Sequence, residues 1–306
     1  MRGPAAQEIQ KSPICKALTD LFRKVKMFLI FTDLDGTLLD HNTYSWKEAE
    51  PALDLCRRAL VPVILVSSKT RAEMDVLRVQ LGLCSPFISE NGGGIFFPVE
   101  GVLTPPPVAV CDKGSWKWPL GLPYEHLVQA LAAIRKELGW NIRGFSEMSQ
   151  DEIGQLTGLD PENCRLAAMR EFDEPFVVSE PEIVDTEALA AAAKRRGLRV
   201  TVGGRFHHLQ GKNDKGEAVE KLIAWYQDQQ PSSTPISVAL GDSPNDFTML
   251  QRVDQPVLVR SGRSYPELED RISGLRITRE IGPRGWNEAV LEILSRSPKG
   301  GQSRHV

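Results

Sequence analysis

The chain has 306 residues, 41% of them hydrophobic and 25% charged, a composition ordinary for a soluble globular protein and a length sufficient for two domains. A net charge of −3 gives no basic excess for a nucleic acid, and no apolar run is long enough to span a membrane, so neither partner is expected. Cys15, Cys56, Cys84, Cys111 and Cys164 are scattered and form no C-x-x-C pair; a reduced, cytoplasmic protein with most of them as small core residues is expected.

Residues 1–26 are mixed and basic and lack a secretory apolar segment. Leu18, Leu21, Phe22 and Val25 have helical spacing, so this stretch reads as an N-terminal extension with a helix. Met27 to Phe31 is a short apolar run that suits a buried strand of a parallel sheet. Asp33, Asp35, Gly36 and Thr37 follow, just past that strand's carboxyl end, where open α/β sheets bind ligands. Two acids in a dry site are costly unless a positive charge lies between them. A hard cation with oxygen ligands is the natural answer.

Ser45 and Glu48 form a capping-box pattern, and Trp46, Ala49, Leu53, Cys56 and Leu60 recur at helical spacing up to Pro62. Val63 to Val66 is the next strand, which completes a strand–helix–strand unit. Ser67-Ser68-Lys69-Thr70-Arg71 ends it, before a helix from Ala72 to Leu81. These residues suit an anion at a helix N-terminus, or a simple cap by Ser68 or Thr70. Pro86 to Ser89 is a strand candidate, followed by Glu90-Asn91-Gly92-Gly93-Gly94. The glycines admit either a close approach of backbone to ligand or a turn into Ile95-Phe96-Phe97.

Thr104-Pro105-Pro106-Pro107 is a rigid break and the expected domain boundary. Beyond it the pattern is α+β. A helix is expected from Glu125 to Leu138, a capped one from Ser149 with Glu152, and another from Thr186 to Arg196. Strands are expected at Glu174–Val178, Leu198–Val202 and Phe206–Leu209. Trp116 and Trp118 read as packing rather than a sugar platform, and at most one of the adjacent His207 and His208 faces a substrate. Strand–helix alternation then resumes. A helix opens at Asp214-Lys215-Gly216, a strand runs from Ile236 to Leu240 into Gly241-Asp242-Ser243-Pro244-Asn245-Asp246, and Trp286 to Leu294 closes the fold. Gly211-Lys212-Asn213-Asp214-Lys215-Gly216 lacks the spacing of a nucleotide P-loop.

Polar groups therefore stand at four strand or helix ends: Asp33/Asp35, Ser67–Lys69, Lys215 and Asp242/Asp246. A parallel sheet brings such ends to one edge. Carboxylates, a hydroxyl and a lysine are the groups a phosphoryl transfer requires, as nucleophile, acid/base, cation ligands and charge clamp.

In this order the four groups resemble the motifs of the haloacid dehalogenase superfamily. The resemblance implies a Rossmann-like parallel-sheet core (27–107 and 207–306) with an inserted α/β cap (108–206) that sets specificity. It implies Asp33 as nucleophile, Asp35 as general acid/base, and Ser67 and Lys215 on the phosphate. Mg²⁺ would be held by Asp33, the Asp35 main-chain carbonyl and Asp242. Asp246 and Asn245 would stand behind those ligands, with Asp246 also the candidate partner of Lys215. A narrower resemblance rests on Phe31-Thr32-Asp33-Leu34-Asp35-Gly36, Val66-Ser67-Ser68-Lys69-Thr70-Arg71, Ser89-Glu90-Asn91-Gly92, Arg170-Glu171-Phe172-Asp173-Glu174-Pro175-Phe176 and Gly203-Gly204-Arg205-Phe206-His207-His208. These look like the mannosyl-3-phosphoglycerate phosphatase family, which releases phosphate to give the compatible solute mannosylglycerate. Such a phosphorylated sugar-glycerate calls for further cations and polar groups, for which Lys69, Asn91, Arg170, Glu171, Arg205 and His207 are candidates. The rival readings are a phosphatase of glucosyl-3-phosphoglycerate or sucrose phosphate, a phosphomutase, and a sugar-phosphate sensor.

Overall fold

The structure, a computed structural model, describes residues 27–98, 104–112, 114–179, 184–203, 206–231, 234–268 and 270–296. The helix expected around Leu18–Val25, Cys15, Arg205 and the C-terminal tail lie outside the described residues.

The elements run β1 (Phe28–Thr32), α1 (Glu50–Ala59), β2 (Val63–Leu65), α2 (Arg71–Gln80), β3 (Phe87–Ser89), β4 (Gly94–Pro98), β5 (Val110–Asp112) and β6 (Ser115–Pro119). Next come α3 (Tyr124–Leu138), β7 (Ile142–Gly144), α4 (Gln150–Thr157), α5 (Pro161–Ala167), β8 (Asp173–Val178), α6 (Thr186–Lys194), β9 (Arg199–Gly203) and β10 (Phe206–Gln210). The chain ends with α7 (Lys215–Gln229), β11 (Ile236–Gly241), α8 (Phe247–Leu250), β12 (Gln255–Arg260), β13 (Arg276–Ile281) and α9 (Gly282–Ser295).

Five strands form a parallel sheet in the order β13-β12-β11-β1-β2. All five residues of β1 are buried, as a central strand with both faces covered requires. Phe28 and Ile30 pack with Trp286, Ala289 and Val290 of α9 and Leu53 of α1 on one face. Leu29 and Phe31 pack with Val219, Leu222 and Trp225 of α7 on the other. The parallel core with helices on both faces and the α/β class are as expected.

A second sheet, β7-β8-β10-β9, is antiparallel and buries one face under α3 and α6 through Leu127, Ile134, Phe176, Leu189 and Leu209. The third sheet, β3-β4-β6-β5, contains strands from both sides of Thr104–Pro107. Residues 115–119 return to pair antiparallel with Gly94–Pro98, so this hairpin extends the sheet before the prolines, and β10 carries the second sheet on to Gln210. Trp118 lies opposite Ile95 and packs on the core, while Trp116 is partly exposed.

Local departures have local causes. Ser45 accepts from the Lys47 amide instead of forming the expected box, Glu48 pairs with Arg284, and α1 starts only after a 3-10 turn. Leu60, in the left-handed region at φ 54°, ends α1 before Pro62 can. At Ser149 the box with Glu152 forms as expected. Cys56 and Cys164 are buried, whereas Cys84 and Cys111 are exposed, contrary to the expectation for most cysteines.

Candidate active site

β1 and β11 run side by side, and the Asp33 N–H donates to Leu240 O at 2.9 Å. Trp286 Nε1 donates to Thr32 Oγ1 at 2.9 Å, and that hydroxyl donates to Asp33 O at 2.7 Å. The end of β1 is thus fixed by buried hydrogen bonds immediately beside the first acid.

Lys215 opens α7, whose first turn is capped by Asp214 Oδ1 on the Glu217 amide. Its ammonium is 1% exposed and donates at 2.7 Å to both Asp33 Oδ1 and Asp246 Oδ1. The second Asp246 oxygen accepts from the Asp242 and Ser243 amides, each at 3.1 Å, and from Ser243 Oγ at 3.0 Å. Asp246 therefore builds the turn after β11 and pairs with Lys215. Asp33, Asp242 and Asp246 each offer a carboxylate oxygen, all within 4.8 Å of one another. Three carboxylates and one ammonium leave two negative charges in a buried space, which a divalent cation would neutralise. Burial, reinforced by Asp246, pushes the Asp242 carboxyl up to about 6. The same two causes push Asp33 up to about 8 against the pull of Lys215. Burial opposes the Lys215 charge, but Asp246 and Asp33 outweigh it and hold its pKa above the usual value. The hard oxygen donor set fits a small divalent cation, with Asp246 already committed to Lys215 and the turn.

Asp35 leans the other way. Its Oδ2 pairs with Lys69 Nζ at 3.0 Å, and its Oδ1 is buried with no hydrogen-bond partner among the described residues. Lys69 thus sits on an acid rather than in the open. Ser67 is buried, and its Oγ accepts from the Lys69 amide at 3.3 Å. Thr70 is the helix cap, in a reciprocal box with Glu73, which leaves the Ser67 hydroxyl available to an anion.

The remaining candidates divide. Asn91 Oδ1 accepts from Asn245 Nδ2 at 2.8 Å, which links the two turns that flank the acids. The Arg170 side chain is only 8% exposed and donates to Ser68 O and Ala167 O, each at 2.8 Å, so it crosses to the β2 end. Glu171 is turned away: its carboxylate lies 2.7 Å from Lys117 Nζ. His207 stacks on Phe176 with ring centroids 5.3 Å apart and is held neutral-leaning by burial. The neighbouring His208 instead pairs through Nδ1 with Asp173 at 2.7 Å. The strand's alternation thus places His207 against Phe176 and His208 against Asp173. The Asp173–His208 pairing is not legible in the sequence, because it needs the β8–β10 register.

The three glycines serve the chain itself. A Cβ on Gly92, which sits at φ +90°, would lie 2.2 Å from Asp214 O, and one on Gly93 would lie 2.3 Å from Phe172 Cβ. Gly92→Ala is expected to cost about 2 kcal/mol or more, read as a lower urea midpoint, because it adds backbone strain to a clash with backbone. An unchanged midpoint would mean that the turn and the Asp214–Lys215 junction are not packed as described.

An edge-clustered set of acids around a buried lysine, on a doubly covered parallel sheet, is the signature of a phosphoryl-handling hydrolase, and comparison with known proteins agrees. Residues 30–102 match the haloacid dehalogenase-like hydrolase family. The chain belongs to that family, among its phosphatases. It is 39% identical over 270 residues to a glucosyl-3-phosphoglycerate/mannosyl-3-phosphoglycerate phosphatase of Methanococcoides burtonii, covering 88% of this chain and 98% of that one. The protein of the same description in Persephonella marina is 36% identical over 278 residues, covering 89% and 99%. The crystal structure of Thermoplasma acidophilum 0175 shares the fold at a TM-score of 0.62 and 20% identity, over 88% of this chain and 99% of that one. Among the described residues, no helix is long and apolar enough to cross a membrane.

Proposed function

We propose that the protein is a Mg²⁺-dependent phosphomonoester hydrolase of glycosyl-3-phosphoglycerates, with the mannosyl compound as first candidate. The observation that carries this reading is the Lys215 ammonium bonded to both Asp33 and Asp246, with Asp242 beside them. The relatives described as glucosyl/mannosyl-3-phosphoglycerate phosphatases, at 36–39% identity over most of the chain, support the substrate class. We further propose that the second antiparallel sheet with its helices, roughly residues 121–210, is the cap that selects the substrate.

Asp33 attacks phosphorus, the bond from phosphorus to the glycerate oxygen breaks, and that oxygen takes a proton from Asp35. Water then attacks the aspartyl phosphate, gives a proton back to Asp35, and releases phosphate and Asp33. Lys215 and Ser67 hold the phosphoryl oxygens as charge develops on them. Asp33, Asp242 and the Asp35 carbonyl would hold Mg²⁺, which when bound supplies charge neutralisation for the phosphoryl group. Asp246 keeps the lysine oriented and has no direct part.

Phosphate release is to be measured from mannosyl-3-phosphoglycerate, glucosyl-3-phosphoglycerate, sucrose 6-phosphate and p-nitrophenyl phosphate, with Mg²⁺ and with a chelator. The expected result is a kcat/KM for the glycosyl-phosphoglycerates at least about tenfold above the others, near 1.4 kcal/mol of discrimination, and loss of all release with the chelator. Equal turnover of all four would sink the substrate; activity unaffected by the chelator would sink the metal.

A further inference from the structure

Glu90 is fully buried, and its backbone sits at φ 47°, a conformation uncommon for any residue but glycine. It stands where three parts of the chain meet. Its N–H donates to Lys69 O at 3.1 Å, and the next N–H, of Asn91, donates to Ser67 O at 3.0 Å. Its carboxylate accepts from the Glu171 amide at 3.0 and 3.1 Å and from the Phe172 amide at 2.8 Å. The residue thus joins the Ser67–Lys69 strand end to the segment that leads into β8.

That segment also bears polar groups, one of which crosses to the strand end. Arg170 reaches Ser68 O, and Asp173 holds His208 through one oxygen. The other oxygen, Asp173 Oδ1, is buried and receives no donor from the described residues. Phe172 seals the arrangement by packing in the core against Gly93 and Gly94. A carboxylate is the side chain that accepts on both oxygens at this length; glutamine would turn an N–H toward a backbone N–H.

We infer that Glu90 is a positioning residue for the reaction. By clamping the amides of Glu171 and Phe172 it fixes the Arg170–Asp173 segment against Ser67–Lys69, so that the sugar-glycerate half of the substrate is held in register with the phosphoryl site. This rests on the phosphatase reading above. Glu90 does not touch the reacting atoms. Its removal should therefore discriminate between a large substrate that spans both segments and a small aryl phosphate that needs only the carboxylates, Ser67 and Lys215.

The test is Glu90→Gln, with kcat and KM measured on mannosyl-3-phosphoglycerate and p-nitrophenyl phosphate and folding checked by thermal denaturation. KM for the sugar compound is expected to rise at least about tenfold while kcat/KM for the aryl phosphate stays within about threefold of wild type. Equal losses on both substrates, or no loss on either, would overturn the inference and make Glu90 a structural residue only. If Glu90→Gln does not fold, Glu90→Asp decides the matter, because it keeps the carboxylate but shortens its reach to the Glu171 and Phe172 amides. The same selective rise in KM is expected, and an unchanged ratio overturns the inference. Wild-type protein that releases phosphate from neither compound would remove the phosphatase reading and this inference with it; wild-type activity with an unchanged ratio removes the inference alone.

Discussion

Asp33→Asn lowers phosphate release by about 10⁴-fold or more while the protein stays folded, with a melting temperature equal to wild type or higher. The two halves of that result have one cause. An amide keeps the shape of the carboxylate and an oxygen that accepts from Lys215, whose bond to Asp33 is 2.7 Å, but it cannot attack phosphorus. It also removes one of three carboxylates crowded within 4.8 Å. Burial and Asp246 already push Asp33 up to about 8, so its charge is an electrostatic load on the metal-free fold. Enzyme assay and thermal denaturation with a chelator present read the two halves separately. Activity within tenfold of wild type would assign the nucleophile elsewhere. Lost activity with a much lower melting temperature would mean that the variant is misfolded and that the Asp33 charge supports the metal-free fold rather than loading it.

The parts of this site legible in the sequence are those whose signal is local. An apolar run ending in acids, as at Phe28–Thr32 before Asp33, marks a buried strand and its ligand-facing end. Ser149 and Glu152 mark a helix start because the box is formed within one turn. The parts not legible depend on partners far along the chain. β5 is short, exposed and at a sheet edge, and Val110–Asp112 has no alternation to betray it. β13, Arg276–Ile281, is another edge strand with three exposed residues at its end. The choice between His207 and His208 turns on which residue of β10 lies opposite Pro175, and no property of the pair itself decides it. Arg170 and Glu171 both looked like free cation and acid for a substrate. Only the fold brings Lys117 to Glu171 and Ser68 to Arg170, and so gives the two neighbours different employment. The triple glycine signals a special backbone in the sequence, which leaves ligand approach and turn both open; the close approaches that fill it come from Asp214 and Phe172, more than 75 residues away.

Lys215→Met is expected to act on stability in the opposite sense to Asp33→Asn, although both break the same ion pair. Removing the ammonium leaves buried Asp33 and Asp246 beside half-buried Asp242 with their partner cation gone, and loss of one partner from a buried pair costs about 3–5 kcal/mol. For a chain of this size that is a melting temperature lower by roughly 10 °C. The cost depends on pH, and its sign is fixed by Asp33. A carboxyl raised to about 8 in the folded protein binds a proton that the unfolded chain releases above about pH 4. Stability of the metal-free protein therefore falls as pH rises from about 4 to about 8, and the loss of Lys215 steepens that fall. The deficit of Lys215→Met should be largest at and above pH 8 and shrink towards pH 5, where protonation of Asp33 and Asp242 does what the ammonium no longer can. Chemical denaturation in a chelator at several pH values measures this directly. A deficit that is constant with pH would show that Lys215 contributes by packing its stem rather than by balancing the acids. The reaction would then have to be rebuilt without the lysine as the charge that makes Asp33 usable.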